Sequence, residues 1–258
     1  MTVRIAATEP RGPENAPLLV LGPSLGTSTL IWESAAALLR ESFRVVSWDL
    51  PGHGAAPHAR ESFTVADLAD AVVGVLDELN EPQALYAGVS LGGAVGLELA
   101  LRHPERVRAA AILCSGAFLG GPEKWLERAE STRVLGTASL VVPSAQRWFA
   151  PESMVRSPEI TGRLLHTLRD ADDESYALCC EALAAYDVRD RLAEITIPVL
   201  AVWGEHDPVV SEPAATEIAT GVQRGYVDVI HDASHLAPAE QPAAVADRLI
   251  RFFTKEIS

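Results

Sequence analysis

Cysteine is scarce in this chain: three in 258 residues, Cys114, Cys179 and Cys180. Three cysteines make no disulfide framework, and without a C-x-x-C pair there is no redox motif. Cys114 falls in an apolar run and reads as core. The adjacent pair Cys179-Cys180 is expected on a partly buried helix surface. Long hydrophobic runs are missing too. None approaches the ~18 apolar residues of a membrane-spanning helix, and the opening Met1-Thr2-Val3-Arg4-Ile5 lacks a signal peptide's apolar core. A cytoplasmic protein with no membrane partner is expected. Basic residues are outnumbered, 21 against 35 acidic, for a net charge of -14. Such a surface repels phosphate backbones, which argues against nucleic acid. It leaves small anions open, because their binding depends on the local field. There is no internal repeat or low-complexity tract.

What is present is an ordinary globular composition, 48% hydrophobic and 22% charged, at a length that suits one α/β domain with a modest insertion. Strand-like runs cover Val3–Ala7, Pro17–Leu21, Phe43–Trp48, Ala84–Val89, Ala109–Cys114, Pro198–Trp203 and Gly225–Ile230. Helical patterns cover Leu30–Glu41, Val65–Leu79, Leu91–His103, Pro213–Thr220 and Pro242–Phe253. Thr64 is placed to cap the helix at Val65, with Ala66, Leu68, Ala71, Val72 and Val75 on its buried face. This alternation predicts a mainly parallel sheet with helices on both faces. It breaks between about Gly120 and Arg191, where no strand is evident. The expected division is therefore a core in two parts, 1–119 and 192–258, separated by a helical cap at 120–191 that covers the active site.

Two pentapeptides read G-x-S-x-G: Gly22-Pro23-Ser24-Leu25-Gly26 and Gly88-Val89-Ser90-Leu91-Gly92. In a nucleophile elbow a strand turns directly into a helix, and side chains beside the serine would clash. The second pentapeptide meets that condition. Ala84–Ala87 is a buried strand pattern, and Gly92–Arg102 is helical up to Pro104. After the first, Thr27-Ser28-Thr29 intervenes before any helix. Ser90 is therefore the candidate nucleophile and Ser24 its rival.

A serine nucleophile needs a base, and the base an orienting acid. With an elbow the chain order is serine, acid, histidine. Asp207, just past the strand pattern ending at Trp203, is the candidate acid, with Glu205 as near rival. His235, after the last strand pattern, is the candidate base, with His231 as rival. His231 and His235 have the spacing of a helical metal pair, but the segment reads as loop and offers no third ligand, so no metal is expected. The oxyanion needs two backbone amides. Leu91, directly after the nucleophile, supplies one. Leu25, on the loop of the first pentapeptide, is assigned the other, with Ser24 supporting that loop or touching substrate. The turn Asp49-Leu50-Pro51-Gly52-His53-Gly54 reads as structural.

Together, the D-x-P-G-H-G turn, the G-x-S-x-G-G elbow, the G-x-x-D turn and the final Ser234-His235 resemble the α/β-hydrolase superfamily over the whole chain. A narrower resemblance is to 3-oxoadipate enol-lactone hydrolases. It rests on Ser24-Leu25-Gly26-Thr27 followed by Trp32, where a His-Gly loop is usual. In the cap it rests on Arg147-Trp148-Phe149, on Tyr176 to Ala182, and on Tyr186-Asp187-Val188-Arg189. The chain departs from that family at Pro51, where members often have Arg, and at Gly22-Pro23.

The resemblance implies an α/β-hydrolase fold and a small carboxylate-bearing enol-lactone as substrate, with no cofactor. Ser90 attacks the ring carbonyl, His235 moves the proton to the leaving enol oxygen, and water releases 3-oxoadipate. The substrate's carboxylate needs a local cation in so acidic a chain. Arg133 is the favoured partner and Arg147 the second choice. Ser24, Trp32 and Trp148 are expected beside the ring. A carboxylesterase, a C–C bond hydrolase of a ring-fission product, or a ligand-binding protein on the same scaffold would share these motifs. Oligomeric state is not legible in the sequence.

Overall fold

The apolar runs assemble into one seven-stranded sheet in the computed structural model, which describes residues 3–257. The strands are β1 (Ala6–Ala7), β2 (Leu18–Gly22), β3 (Arg44–Asp49), β4 (Ala84–Val89), β5 (Val107–Leu113), β6 (Pro198–Gly204) and β7 (Arg224–Ile230). Their spatial order is β1-β3-β2-β4-β5-β6-β7. All adjacent pairs are parallel except β1, which pairs antiparallel with β3. β2 and β4 are buried at every residue. Burial on both faces is why they read as continuous hydrophobic runs and not as alternating ones. The expected first strand, Val3–Ala7, shrinks to Ala6–Ala7, the two residues that pair with β3 in a regular ladder; beyond them Thr8 and Arg11 reach β3 only through isolated contacts to Ser47 and Val45.

The helices are α1 (Glu33–Leu39), α2 (Val65–Glu78), α3 (Leu91–Arg102), α4 (Pro122–Leu135), α5 (Val141–Trp148), α6 (Ser153–Arg156), α7 (Pro158–Asp170), α8 (Asp173–Ala184), α9 (Glu212–Gly221), α10 (Ala237–Glu240) and α11 (Pro242–Ile257). A 3-10 turn, Thr29–Trp32, leads into α1. Thr64 caps α2 in a capping box. Its hydroxyl accepts the Asp67 amide at 3.1 Å, and the Asp67 carboxylate accepts the Thr64 amide at 2.7 Å. Reciprocal satisfaction of two orphan donors sets where the helix begins. Leu68, Ala71, Val72 and Val75 are buried on α2, as the pattern indicates, while Ala66 is half-buried. α2 packs on α3 and α1 on α11, so helix pairs flank the sheet.

α4 to α8 are all inserted between β5 and β6. The two ends of this insertion meet at an isolated bridge between Phe118 and Asp187, where the Val188 amide donates to the Ala117 carbonyl at 2.9 Å. α8 lies under α4. This corrects the expected placement of Cys179 and Cys180: both are fully buried, and burial pushes the Cys180 thiol up to about 12. Such thiols are inert packing groups. Among the described residues no helix is long and apolar enough to cross a membrane.

Candidate active site

β4 passes into α3 through Ser90, whose backbone sits at φ 54°, ψ -115°. A non-glycine residue rarely holds a positive φ, and it persists only where surroundings over-determine it. The surroundings here are specific. The Ser90 amide donates to the Leu113 carbonyl at 2.9 Å, and its carbonyl accepts the Ser115 hydroxyl at 2.7 Å. A Cβ on Gly88 would collide with the Gly92 carbonyl, and one on Gly92 would stand 2.6 Å from the Pro23 carbonyl oxygen. The glycines of the elbow are therefore demanded by backbone packing. The Ser90 side chain makes no hydrogen bond among the described residues and faces a cavity.

Asp207 and His235 meet on the adjacent loops. Asp207 Oδ2 lies 2.9 Å from His235 Nδ1, and both residues are buried. The other carboxylate oxygen accepts the Val209 amide at 2.7 Å and the Val210 amide at 3.1 Å. An acceptor held this way fixes the histidine with its proton on Nδ1 and Nε2 free to act as a base. His235 lines the same cavity as Ser90 without a hydrogen bond between the two side chains. Such bonds often tighten only once substrate is bound. The rivals are placed elsewhere. Glu205 is exposed and accepts from the Asp232 amide and exposed His231. That amide bond and His231 hold its carboxyl below the usual range.

The first pentapeptide borders the same cavity. Ser24 and Leu25 line it, and the amides of Leu25 and Leu91 have no hydrogen-bond partner among the described residues. Two unpartnered amides beside a serine are what a developing oxyanion requires. The next amide along, Gly26, donates to Nε2 of His53 at 3.2 Å, while His53 Nδ1 lies 2.8 Å from the Pro51 carbonyl. Accepting at one nitrogen and donating at the other makes His53 neutral, and complete burial lowers its pKa to about 4. The turn is structural, as the sequence indicates, and what it braces is the loop that carries Leu25, a contact with no sequence signal because the partners are 27 residues apart. Trp32 is corrected: it does not line the cavity. It is fully buried, and its indole N–H donates to the Gly22 carbonyl at 2.9 Å, which supports the loop from beneath.

The cavity has a volume of about 260 Å3, with Trp148, Phe118 and Trp125 among its apolar walls. Its charged lining residues are Lys124, Arg128 and Arg147, with no carboxylate. Neither Arg128 nor Arg147 has an ion-pair partner among the described residues; Arg128 lies over the Trp125 ring at 5.2 Å. Burial, with Arg128 nearby, pulls the Arg147 pKa below the usual guanidinium range. The site is therefore positive in a chain of net charge -14. Arg133 is corrected as well. Its guanidinium forks onto Glu174 with two bonds of 2.8 Å and reaches Glu181 at 2.6 Å, away from the cavity. Five residues along a helix amount to a rotation of about 140°, so α4 turns Arg128 to the cavity and Arg133 to the acids of α8.

Among the described residues one exposed trio, Glu205, His206 and Asp232, brings possible metal ligands within 4.8 Å of one another. It lies outside the cavity, and exposed acidic groups of this kind are common without a metal.

Comparison with known proteins agrees with this architecture. The alpha/beta hydrolase fold family matches residues 17–242. The chain is 35% identical over 233 residues to 3-oxoadipate enol-lactonase 2 of Acinetobacter baylyi, covering 90% of this chain and 87% of the relative. It is 35% identical over 243 residues to 3-oxoadipate enol-lactonase 1 of the same organism, covering 94% and 89%. The crystal structure of the enol-lactonase from Burkholderia xenovorans superposes with a TM-score of 0.93 at 32% identity, over 98% of this chain and 99% of that one. Identity at this level over nearly the whole length, with the same fold, makes the chain a member of the α/β-hydrolase superfamily, in its enol-lactonase and esterase branch and close to the 3-oxoadipate enol-lactonases.

Proposed function

We propose that this hydrolase opens a small enol-lactone carrying a carboxylate, 3-oxoadipate enol-lactone, through an acyl-enzyme. The observation that carries the reading is the pair Arg128 and Arg147, unpaired in the cavity that also contains Ser90. A guanidinium that is partly desolvated and lacks a carboxylate partner favours an incoming anion. The similarity to enol-lactonases supports the same class.

In this reading Ser90 Oγ attacks the ring carbonyl as His235 Nε2 takes its proton. Asp207 stabilises the imidazolium that forms. The amides of Leu25 and Leu91 receive the oxyanion. Collapse breaks the bond to the enol oxygen, which takes the proton from His235. The released enol tautomerises to a ketone, which disfavours reclosure. Water, deprotonated by His235, then frees the acid from Ser90. The helices of residues 120–191 act as the cap that brings Arg128, Arg147 and Trp148 over the ring. No cofactor takes part.

A turnover assay comparing 3-oxoadipate enol-lactone with neutral p-nitrophenyl esters and a C–C ring-fission substrate tests this. Preference for the anionic lactone in kcat/KM is expected. Preference for neutral esters makes the protein a carboxylesterase. Faster turnover of the ring-fission substrate makes it a C–C hydrolase, and stoichiometric product trapping makes it a binding protein.

A further inference from the structure

The loop that carries His235 is bonded on both sides of the histidine to the wall that carries Arg147 and Trp148. The Ser234 hydroxyl lies 3.1 Å from the Arg147 carbonyl, and the Leu236 amide donates to the Trp148 carbonyl at 3.2 Å. Glu240, the last residue of α10, closes the same junction. Its Oε1 accepts the Ser234 amide at 2.7 Å. Its Oε2 accepts the Ala150 amide at 2.6 Å and the Ser153 hydroxyl at 2.7 Å. One carboxylate therefore holds the residue before the base and the chain just past α5.

We propose that Glu240 is a positioning residue, which registers the base-bearing loop against the wall that carries Arg147. The distance between the proton acceptor and the cationic wall is then set by hydrogen bonds, independently of bound substrate. The inference rests on the proposed roles of His235 and Arg147. The chemistry of the junction suits a carboxylate in particular. Three donors converge on it, and a carboxylate is an acceptor at both oxygens. Gln in its place would turn an NH2 group against the Ser234 amide or the Ala150 amide. Burial pushes the Glu240 carboxyl above its usual range, against the pull of those three donors and of Arg156, the cation facing it from α6. That a partly desolvated acid is held here points to geometry and not to surface solvation. A loop set loose by one bond displaces a catalytic group by a fraction of an ångström, and displacements near 1 Å cost about 100-fold in rate.

The test compares the wild type with Glu240→Gln and with Ser153→Ala, which removes one cap donor and leaves the Ser234 amide bonded. Three quantities are read: the rate at which a fluorophosphonate labels Ser90, kcat/KM on neutral p-nitrophenyl esters, and the ratio of kcat/KM between the anionic lactone and those esters. Active-site titration with the fluorophosphonate normalises each to folded enzyme. Glu240→Gln is expected to slow labelling by roughly tenfold and to lower the anionic-to-neutral ratio. Ser153→Ala should lower the ratio less and leave labelling near wild type. Folded Glu240→Gln with wild-type labelling and an unchanged ratio overturns the proposal. So does a loss that titration accounts for entirely as unfolded protein. If the wild type labels at Ser90 and cleaves neutral esters but not the lactone, the lactone reading fails, and the labelling rate still decides the role of Glu240.

Discussion

Gly22 of β2 stands directly opposite Gly88 of β4 in the parallel ladder, so the two G-x-S-x-G pentapeptides leave the sheet side by side. The Gly92 amide of one donates to the Pro23 carbonyl of the other at 2.9 Å. One pentapeptide thus presents a serine in a strained elbow with the Leu91 amide beside it, and the other presents the Leu25 amide at the same cavity. Both glycine-rich segments serve a close backbone approach, which is why they look alike in sequence.

This arrangement separates the two serines in a mutational test. Ser90→Ala is expected to lower kcat by several orders of magnitude, since nucleophile, base and acid act as a unit. Ser24→Ala should lower it less than ~10-fold, because its backbone and not its hydroxyl holds the loop. Steady-state kinetics on a p-nitrophenyl ester checks both, and the reverse order of effects removes Ser90 from the mechanism.

Asp207→Asn should leave the fold intact and reduce kcat by about 10,000-fold, as an amide favours the wrong imidazole tautomer. Glu205→Gln should be nearly silent, since among the described residues the exposed Glu205 carboxylate bonds only to His231 and the Asp232 amide. A proton spectrum offers a second readout: a downfield Nδ1–H resonance from His235 that is present in the wild type and lost in Asp207→Asn.

The arginines make opposite predictions. Losing a charge-assisted hydrogen bond costs about 1.5–3 kcal/mol, or roughly 10- to 100-fold in kcat/KM. Arg147→Met and Arg128→Met should each impair an anionic lactone by about that factor while sparing a small neutral ester. Arg133→Met should spare both and lower stability by less than ~1 kcal/mol, because its partners are surface glutamates screened by solvent. An anionic substrate that responds to Arg133 and not to Arg147 would place the carboxylate on the other face of α4.

His53 makes the protein sensitive to acid. Its pKa falls from 6.5 to about 4 on folding through burial, so the unfolded chain binds the proton more tightly. Stability from this residue is complete above about pH 6.5, declines as the pH falls, and is lost by about pH 4. The total change is on the order of 3 kcal/mol. Chemical denaturation of the wild type and of His53→Gln across pH 4–7 checks this. The wild type should lose stability steeply and the variant much less. At neutral pH His53→Leu should also lower kcat, because a side chain with no acceptor leaves the Gly26 amide unpaired and loosens the loop that carries Leu25.

Much of the molecule follows from local pattern. The strands β2 to β7 are apolar runs closed by turns, and the elbow at Ser90 is written as glycines that backbone packing demands. Thr64 and Asp67 announce the start of α2 by a capping box that involves only neighbours in sequence. These are short-range effects, legible in the order of the residues alone. The enol-lactonase likeness was carried in the same way, by short ordered motifs. Which side chains face each other across the fold depends instead on packing between segments distant in the chain. Arg128 and Arg133 are equivalent as letters on α4, and only the packing of α8 under that helix assigns one to the cavity and the other to Glu174 and Glu181. Trp32 was expected beside the ring and instead supports Gly22, because its indole N–H had to find an acceptor once buried. Cys179 and Cys180 are sealed by the same α4–α8 contact. His53 against Gly26, and Glu240 between Ser234 and Ala150, join residues 27 and 90 positions from their partners. No periodicity records such pairs, since each exists only where the chain, already folded, must satisfy a polar group it has taken out of water.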